Sequence, residues 1–132
     1  MLAQLSELAQ IPSTIVDHYN KCTELPLSKE KGLEIAQYNL MAADNYAAVE
    51  AHHSACVYYE HGLKWVQDDP SLEFILNIGK ARCLYALANN EEAQALTTEL
   101  YQSATTVKEK VEVLRVEIKM TNHLAEQEKV II

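Results

Sequence analysis

Apolar residues recur three and four positions apart along most of the chain, which is the spacing of amphipathic helices. The pattern predicts short helices over 1–9 and 15–25, and Pro26 ends the second one. Ser28 then begins a long helix, and a second long helix follows a break between Asp44 and Glu50. The residues predicted to face inward are Leu33, Ala36, Leu40, Ala43 and Ala47 in the first long helix, and Ala51, Ala55, Tyr59, Gly62 and Val66 in the next.

The second half of the chain continues the helical pattern. Ser71 is predicted to cap a helix after Pro70, Asn89-Asn90 to form a turn, and the Ser/Thr cluster at 103–106 to break the chain. The predicted inward residues are Leu72, Ile75, Leu76, Gly79, Cys83 and Leu87, then Ala93, Leu96 and Leu100, then Val107, Val111, Leu114 and Ile118. A final helix is predicted to begin with Leu124, Ala125, Val130 and Ile131.

Small residues recur at a fixed interval, which indicates a repeat. Ala81, Ala93 and Leu100 follow Ala43, Ala55 and Gly62 at a distance of 38 residues, and Ile118 and Val130 continue the series more weakly 37 residues on. The spacing predicts an all-α fold in which antiparallel helix pairs stack as a tetratricopeptide-like right-handed superhelix. A turn at Asp44-Asn45 is an alternative register that would not keep the 38-residue interval.

Composition supports a single helical domain over residues 1–132. Among 132 residues, 48% are hydrophobic and 23% charged, and 3 Gly and 3 Pro offer little turn chemistry for a β-fold. The net charge of -8 disfavours nucleic acid and anionic membrane surfaces as partners. There is no run of transmembrane length and no signal peptide pattern, so a cytoplasmic location is predicted. Cys22, Cys56 and Cys83 are widely separated, which favours reduced, buried thiols over a disulfide framework or a zinc site.

One set of residues carries a more specific signal than the repeat. It comprises Ile15-Val16-Asp17-His18-Tyr19-Asn20, Glu24-Leu25, Ile35-Ala36, Asn39-Leu40-Met41-Ala42-Ala43, Ala55, Tyr59 and Gly62. The set resembles the helical region of very large bacterial signalling proteins. These proteins carry a serine/threonine kinase-like domain, a signal-transducing ATPase, a tetratricopeptide-like segment, a GAF domain and a sensor histidine kinase. The resemblance covers roughly residues 10–125 and departs from the family at Ala43, where glycine is frequent.

The resemblance implies that the chain is a fragment or short relative of such a protein. The apolar Val130-Ile131-Ile132 end agrees with this expectation, because it would pack against a following helix or in a homodimer through this end. The parent family's kinase and ATPase activities do not transfer to this chain. It has no P-loop, no glycine-rich nucleotide motif and no hydrolase or zinc-protease motif.

Two clusters of polar residues could carry chemistry. His53, Cys56 and Glu60 share one helix face between His52 and His61, which is a spacing that can hold a metal, as can that of His18 and Cys22. The favoured interpretation of the first cluster is a surface strip beside the packed Ala/Tyr stripe, and a metal site at His18 and Cys22 is equally disfavoured. His61-Gly62-Leu63-Lys64 resembles the phosphorylated segment of histidine phosphotransfer bundles, although Trp65 stands where glycine is needed. The favoured interpretation of this segment is a helix C-terminus, where His and Lys complement the helix dipole.

The aromatic residues are predicted to be partly buried with their polar tips at the surface. They are Tyr38, Tyr46, Tyr58, Tyr59, Trp65, Phe74, Tyr85 and Tyr101. The function predicted is non-catalytic: a protein-interaction or domain-coupling module whose partner is another protein or a neighbouring domain. Histidine phosphotransfer through His61 is the alternative, and a small metal binder is a third possibility. For the favoured function the sequence predicts no catalytic residue, no cofactor and no metal ligand.

Overall fold

The computed structural model describes residues 17, 20, 28–66 and 68–131, with side chains up to residue 122. Within these residues the regular secondary structure is helical and there is no strand, which confirms the all-α prediction. The helices are α1 (Lys29–Ala48), α2 (His52–Trp65), α3 (Pro70–Ala86), α4 (Asn90–Ser103) and α5 (Val107–Ile131). The short helices predicted over 1–9 and 15–25 fall outside this part of the chain, except for Asp17 and Asn20.

The first long helix begins as predicted, but the third begins differently. The Ser28 hydroxyl accepts a hydrogen bond from the Lys31 amide at 3.2 Å and so caps α1. In α3 the cap is Asp69, whose carboxylate accepts from the Leu72 amide at 3.1 Å, and the prediction of Ser71 was wrong. The reason is Pro70, which fits the first helical position because its missing N–H has no helical partner there.

Helices α1 and α3 end in turns of the same conformation. Glu50 and Ala88, which are 38 residues apart, both adopt the left-handed conformation, with φ of 62° and 65°. The hydrogen bonds also match: Glu50 N to Ala47 O, Ala51 N to Tyr46 O, Ala88 N to Tyr85 O and Asn89 N to Leu84 O. These are the paired bonds of a Schellman motif, which satisfies the last carbonyls of a helix. Asp44 and Asn45 lie inside α1, so the alternative register is wrong.

Most of the predicted inward faces of α1 to α4 are buried. Ala43, Ala55, Ala81 and Ala93 are fully inaccessible, and small side chains at these places let helices approach closely. The α2–α3 contact depends on two glycines. The Tyr59 ring fills the space beside Gly79, and a Cβ on Gly62 would lie 2.7 Å from Leu76 Cδ2.

Three details of these faces differ from the prediction. Asn39 and Ile35 are fully buried in α1, as the predicted Ala36 and Ala43 are, whereas Leu33 and Leu40 are only half-buried. Ile75 was predicted to be buried and is 50% exposed. A polar residue such as Asn39 is not expected in an apolar stripe, so its burial becomes apparent only from its partners.

The last helix departs most from the prediction. It runs unbroken from Val107 to Ile131, so the helix predicted to begin near Leu124 is part of α5. No Gly or Pro interrupts this stretch, and Glu, Gln, Lys and Ala favour continuation. The buried face carries Val113, Val116 and Met120, while the four residues predicted to face inward are exposed: Val107, Val111, Leu114 and Ile118. Both stripes have helical spacing, and periodicity alone does not select between them.

The helices contact one another in an alternating order. Each helix packs against the next along the chain, and α3 also contacts α1 and α5. Helices α1, α3 and α5 therefore lie side by side, with α2 and α4 packed between successive members. Among the described helices, none combines the length and apolar character that a bilayer-spanning segment requires.

Candidate functional site: a groove along alternate helices

An open groove of about 480 Å³ runs along α3 between α1 and the start of α5. It is lined by residues of all three helices, together with Tyr59 of α2 and Thr106 before α5. The lining residues are Asp44, Tyr59, Ser71, Phe74, Ile75, Ile78, Gly79, Arg82, Thr106, Lys108, Glu109 and Glu112. The groove thus follows from the side-by-side order of α1, α3 and α5.

One wall of the groove is apolar. Ile78 belongs to a buried cluster with residues of α3, α4 and α5, and Phe74 packs against that cluster, which fixes the positions of both side chains. Ile75 projects beside them and is half exposed. An accessible apolar side chain inside a groove rimmed by polar groups is typical of surfaces that bind other proteins.

The floor is set by the contact of Tyr59 with Gly79. The ring occupies the space that a Cβ on residue 79 would need, so only glycine permits this close approach. The Tyr59 hydroxyl donates a hydrogen bond to the Asp44 carboxylate at 2.5 Å. Burial and, after it, the bond to Asp44 raise the pKa of Tyr59 far above its usual range, so the hydroxyl remains a donor at any physiological pH.

The polar rim centres on Arg82. Its guanidinium lies 3.4 Å from the Glu112 carboxylate, and Glu112 also pairs with Arg115 at 3.1 Å. Arg82 also lines two smaller hollows that share lining residues with the main groove. Half of the Arg82 side chain is exposed, so the Arg82–Glu112 ion pair contributes little to stability. The exposed guanidinium N–H groups of Arg82 remain accessible to a ligand.

A second polar cluster is buried and has a structural role. The amides of Asn20 and Asn39 exchange two hydrogen bonds of 2.9 Å, and Trp65 Nε1 donates to Asn20 at 3.1 Å. Tyr58 donates to Asp17 at 2.7 Å. These bonds hold Asp17 and Asn20 against α1 and α2.

The residues considered for metal binding do not converge. Cys56 is buried and its thiol donates to the Glu60 carboxylate at 3.8 Å, while Glu60 pairs with Lys80 at 3.7 Å. His53 is exposed. In the part of the chain that the structure describes, no three His, Cys, Asp or Glu residues are placed to hold a metal. His18 and Cys22 lie outside that part.

The two described cysteines are buried, as predicted. Burial raises the pKa of the Cys83 thiol to about 11, and burial followed by the nearby Glu60 raises that of Cys56. Both thiols are therefore protonated and poorly nucleophilic at neutral pH.

His61 lies in the last turn of α2 and is half-buried. Burial and, secondarily, the charge of Lys64 lower its pKa. The neighbouring Trp65 is held by its bond to Asn20, so the indole is fixed beside this turn. The structure thus places His61 outside the groove, at a helix end.

Comparisons with protein-family models, with curated proteins and with solved structures found no match for this chain. The resemblance to the helical region of bacterial signalling proteins therefore stays a prediction from the residues that carry it.

Proposed function

We propose that the chain is a non-catalytic protein-interaction module that binds a segment of another protein in the groove. The observation that carries this proposal is the groove itself, which is built from three adjacent helices and is lined by the exposed Ile75 and by Arg82. A rigid helical scaffold that presents an accessible apolar anchor and accessible donors provides what peptide recognition needs.

The architecture we propose is a tetratricopeptide-like right-handed stack of antiparallel helix pairs. Its support is the repetition of one turn, with the same hydrogen bonds and left-handed residue, 38 residues apart. Further support comes from the inaccessible alanines at matching places, and from the contacts of α3 with α1 and α5. In such stacks the first helices of successive pairs line an extended concave surface, and the groove lies on these helices.

The ligand we propose is an extended segment with one apolar side chain over Phe74 and Ile75. Its backbone carbonyls would accept hydrogen bonds from Arg82, which is reachable from the groove. Helices leave no free backbone edge for strand addition, so side chains must supply the polar contacts.

The setting we propose is a cytoplasmic bacterial signalling protein, in which the module couples domains or recruits a partner. The support for this setting is the resemblance alone. The structure adds that several residues of the resembling set are buried packing residues, among them Asn39, Ala43, Ala55 and Gly62. Phosphotransfer through His61 has weaker support, because the half-buried ring sits beside the fixed Trp65.

Selection from a display library of random peptides tests the proposal. Peptides selected on the wild-type chain are expected to share an apolar residue, and Ile75→Glu should weaken their binding by at least about tenfold, or about 1.4 kcal/mol. Val57→Glu is the matched control, because Val57 is also an exposed apolar residue but lies on α2, outside the groove.

Isothermal titration with one selected peptide provides the measurement. Failure to select any peptide, or equal binding by the Ile75→Glu variant, would contradict the proposed function. Circular dichroism of both variants checks that the helices are intact, which is expected because both positions are exposed.

A further inference from the structure

The exposed face of α5 carries a continuous apolar stripe, defined as Val107, Val111, Leu114 and Ile118. Val107 is 79% exposed and Ile118 57% exposed. The opposite face of the same helix packs into the domain through Val113, Val116 and Met120. This stripe is therefore a second apolar surface of α5, which no described residue covers.

The spacing within the stripe is that of a coiled-coil seam. Its members are separated by four, three and four residues, the alternation of a and d positions in a heptad. Val111 and Ile118 then occupy a positions, and Val107 and Leu114 occupy d positions. An exposed a/d seam of this kind packs against another helix through knobs-into-holes contacts.

The surface beside the stripe has a matching hollow. Leu114, Glu117, Ile118 and Thr121, with Asn122 at the edge, surround an open space of about 260 Å³. The first four are related as i, i+3, i+4 and i+7. Four residues in this relation form the hole that receives a side chain from the facing helix of a coiled coil.

We infer that α5 pairs through this stripe with α5 of a second copy of the chain, in antiparallel orientation. In that arrangement Val111 faces Leu114 of the second copy, and Val107 faces Ile118. Lys110 comes beside Glu117 of the second copy, and the two-fold axis makes this pair occur twice. This surface is distinct from the Val130–Ile132 end, whose side chains lie outside the described part.

Charge selects the antiparallel orientation. A parallel pair would bring Lys110 beside Arg115 of the second copy, which is a repulsion that the symmetry doubles. The antiparallel pair replaces it with two attractive Lys110–Glu117 contacts. On the other flank it brings Lys108 near Arg115 of the second copy, also twice, and there Glu112 pairs with Arg115 at 3.1 Å. The antiparallel pair thus has two attractive and two repulsive contacts, whereas the parallel pair has two repulsive contacts and no attractive one.

Sedimentation equilibrium of the full chain tests this inference. We expect a mass of twice 14.9 kDa for the wild type. Leu114→Glu with Ile118→Glu should give monomers, whereas Ile75→Glu, an equally exposed apolar position in the groove, should leave the dimer unchanged. Should the double variant not fold, Val107→Lys at the most exposed position of the stripe provides the same test, with folding followed by circular dichroism.

Charge exchange tests the orientation. Lys110→Glu should weaken the dimer by about tenfold, because it faces Glu117 with a like charge, and adding Glu117→Lys should restore it. A wild-type monomer, or a dimer unaffected by the stripe variants, would overturn the inference. A stronger dimer with Lys110→Glu would overturn the antiparallel arrangement. None of these outcomes bears on peptide binding in the groove, so the two proposals fail separately.

Discussion

The α1–α2 pair and the α3–α4 pair have turns of the same geometry but different interiors. In the first pair a fully buried Asn39 is bonded to Asn20 and lies in one network with Trp65. In the second pair the interior is apolar apart from Thr97, whose hydroxyl donates to the Gln94 carbonyl of its own helix. The turn geometry repeats because it depends only on how a helix ends. The interiors differ because each pair packs against different neighbours.

The largest effect is expected at Asn39. Asn39→Ala removes three hydrogen bonds and leaves the buried Asn20 amide without partners on α1, so we expect a loss of about 2–3 kcal/mol in the free energy of unfolding. Asn77 lies 38 residues further on and is half-buried, so Asn77→Ala should cost less than about 1 kcal/mol. Urea unfolding measures both. Equal losses would show that the two interiors do not differ as described.

The next largest effect is a difference in stability between alanine substitutions at the two glycines of the α2–α3 contact. Gly79→Ala would place a methyl group against the rigid Tyr59 ring, which has no flexible end that could move aside. We therefore expect a loss of about 1–3 kcal/mol in the free energy of unfolding. Gly62→Ala meets the end of the Leu76 side chain, which can rotate, and alanine gains about 1 kcal/mol of helix propensity. Its net effect should be near zero. Thermal unfolding of both variants compares them, and a larger loss at Gly62 would contradict this packing.

A smaller effect is expected at the shared turn. Glu50 and Ala88 hold a left-handed conformation that favours glycine, so Glu50→Gly and Ala88→Gly should each raise the free energy of unfolding by about 0.5–1 kcal/mol. The two gains should be equal, because the turns have the same bonds. Chemical unfolding of the two variants measures the gains. Destabilisation by either change would show that its turn is not the one described.

The smallest effect concerns pH and occurs in the first pair only, since the position 38 residues after His61 is Glu99. The pKa of His61 is lowered in the folded chain, so protons bind more readily to the unfolded chain. The contribution of His61 to the free energy of unfolding is present at pH values above the usual pKa of histidine. It is lost as the pH falls below that value. His61→Gln should reduce the difference between unfolding at pH 7.5 and at pH 5.5. An unchanged difference would contradict the burial of the ring.

The sequence predicts the all-α fold and the start of α1, because the Ser28 cap and the alanine stripes are local signals. It does not predict the groove. Ile75 follows the inward pattern of α3 but is half exposed in the groove between α1 and α5. The outward stripe of α5 was misassigned for a related reason, since Val113 and Val116 form a second stripe of the same period. Which of the two faces is buried depends on the neighbouring helices, and the pattern within one helix does not contain this information.

The central claim is that the groove along α1, α3 and α5 binds a protein segment. The most direct measurement is a titration of the isotope-labelled chain with a selected peptide, followed by NMR. The account predicts shifts at Ile75, Arg82 and Lys108, with Val57 and His61 unchanged. Shifts centred on His61 and Lys64 would contradict it.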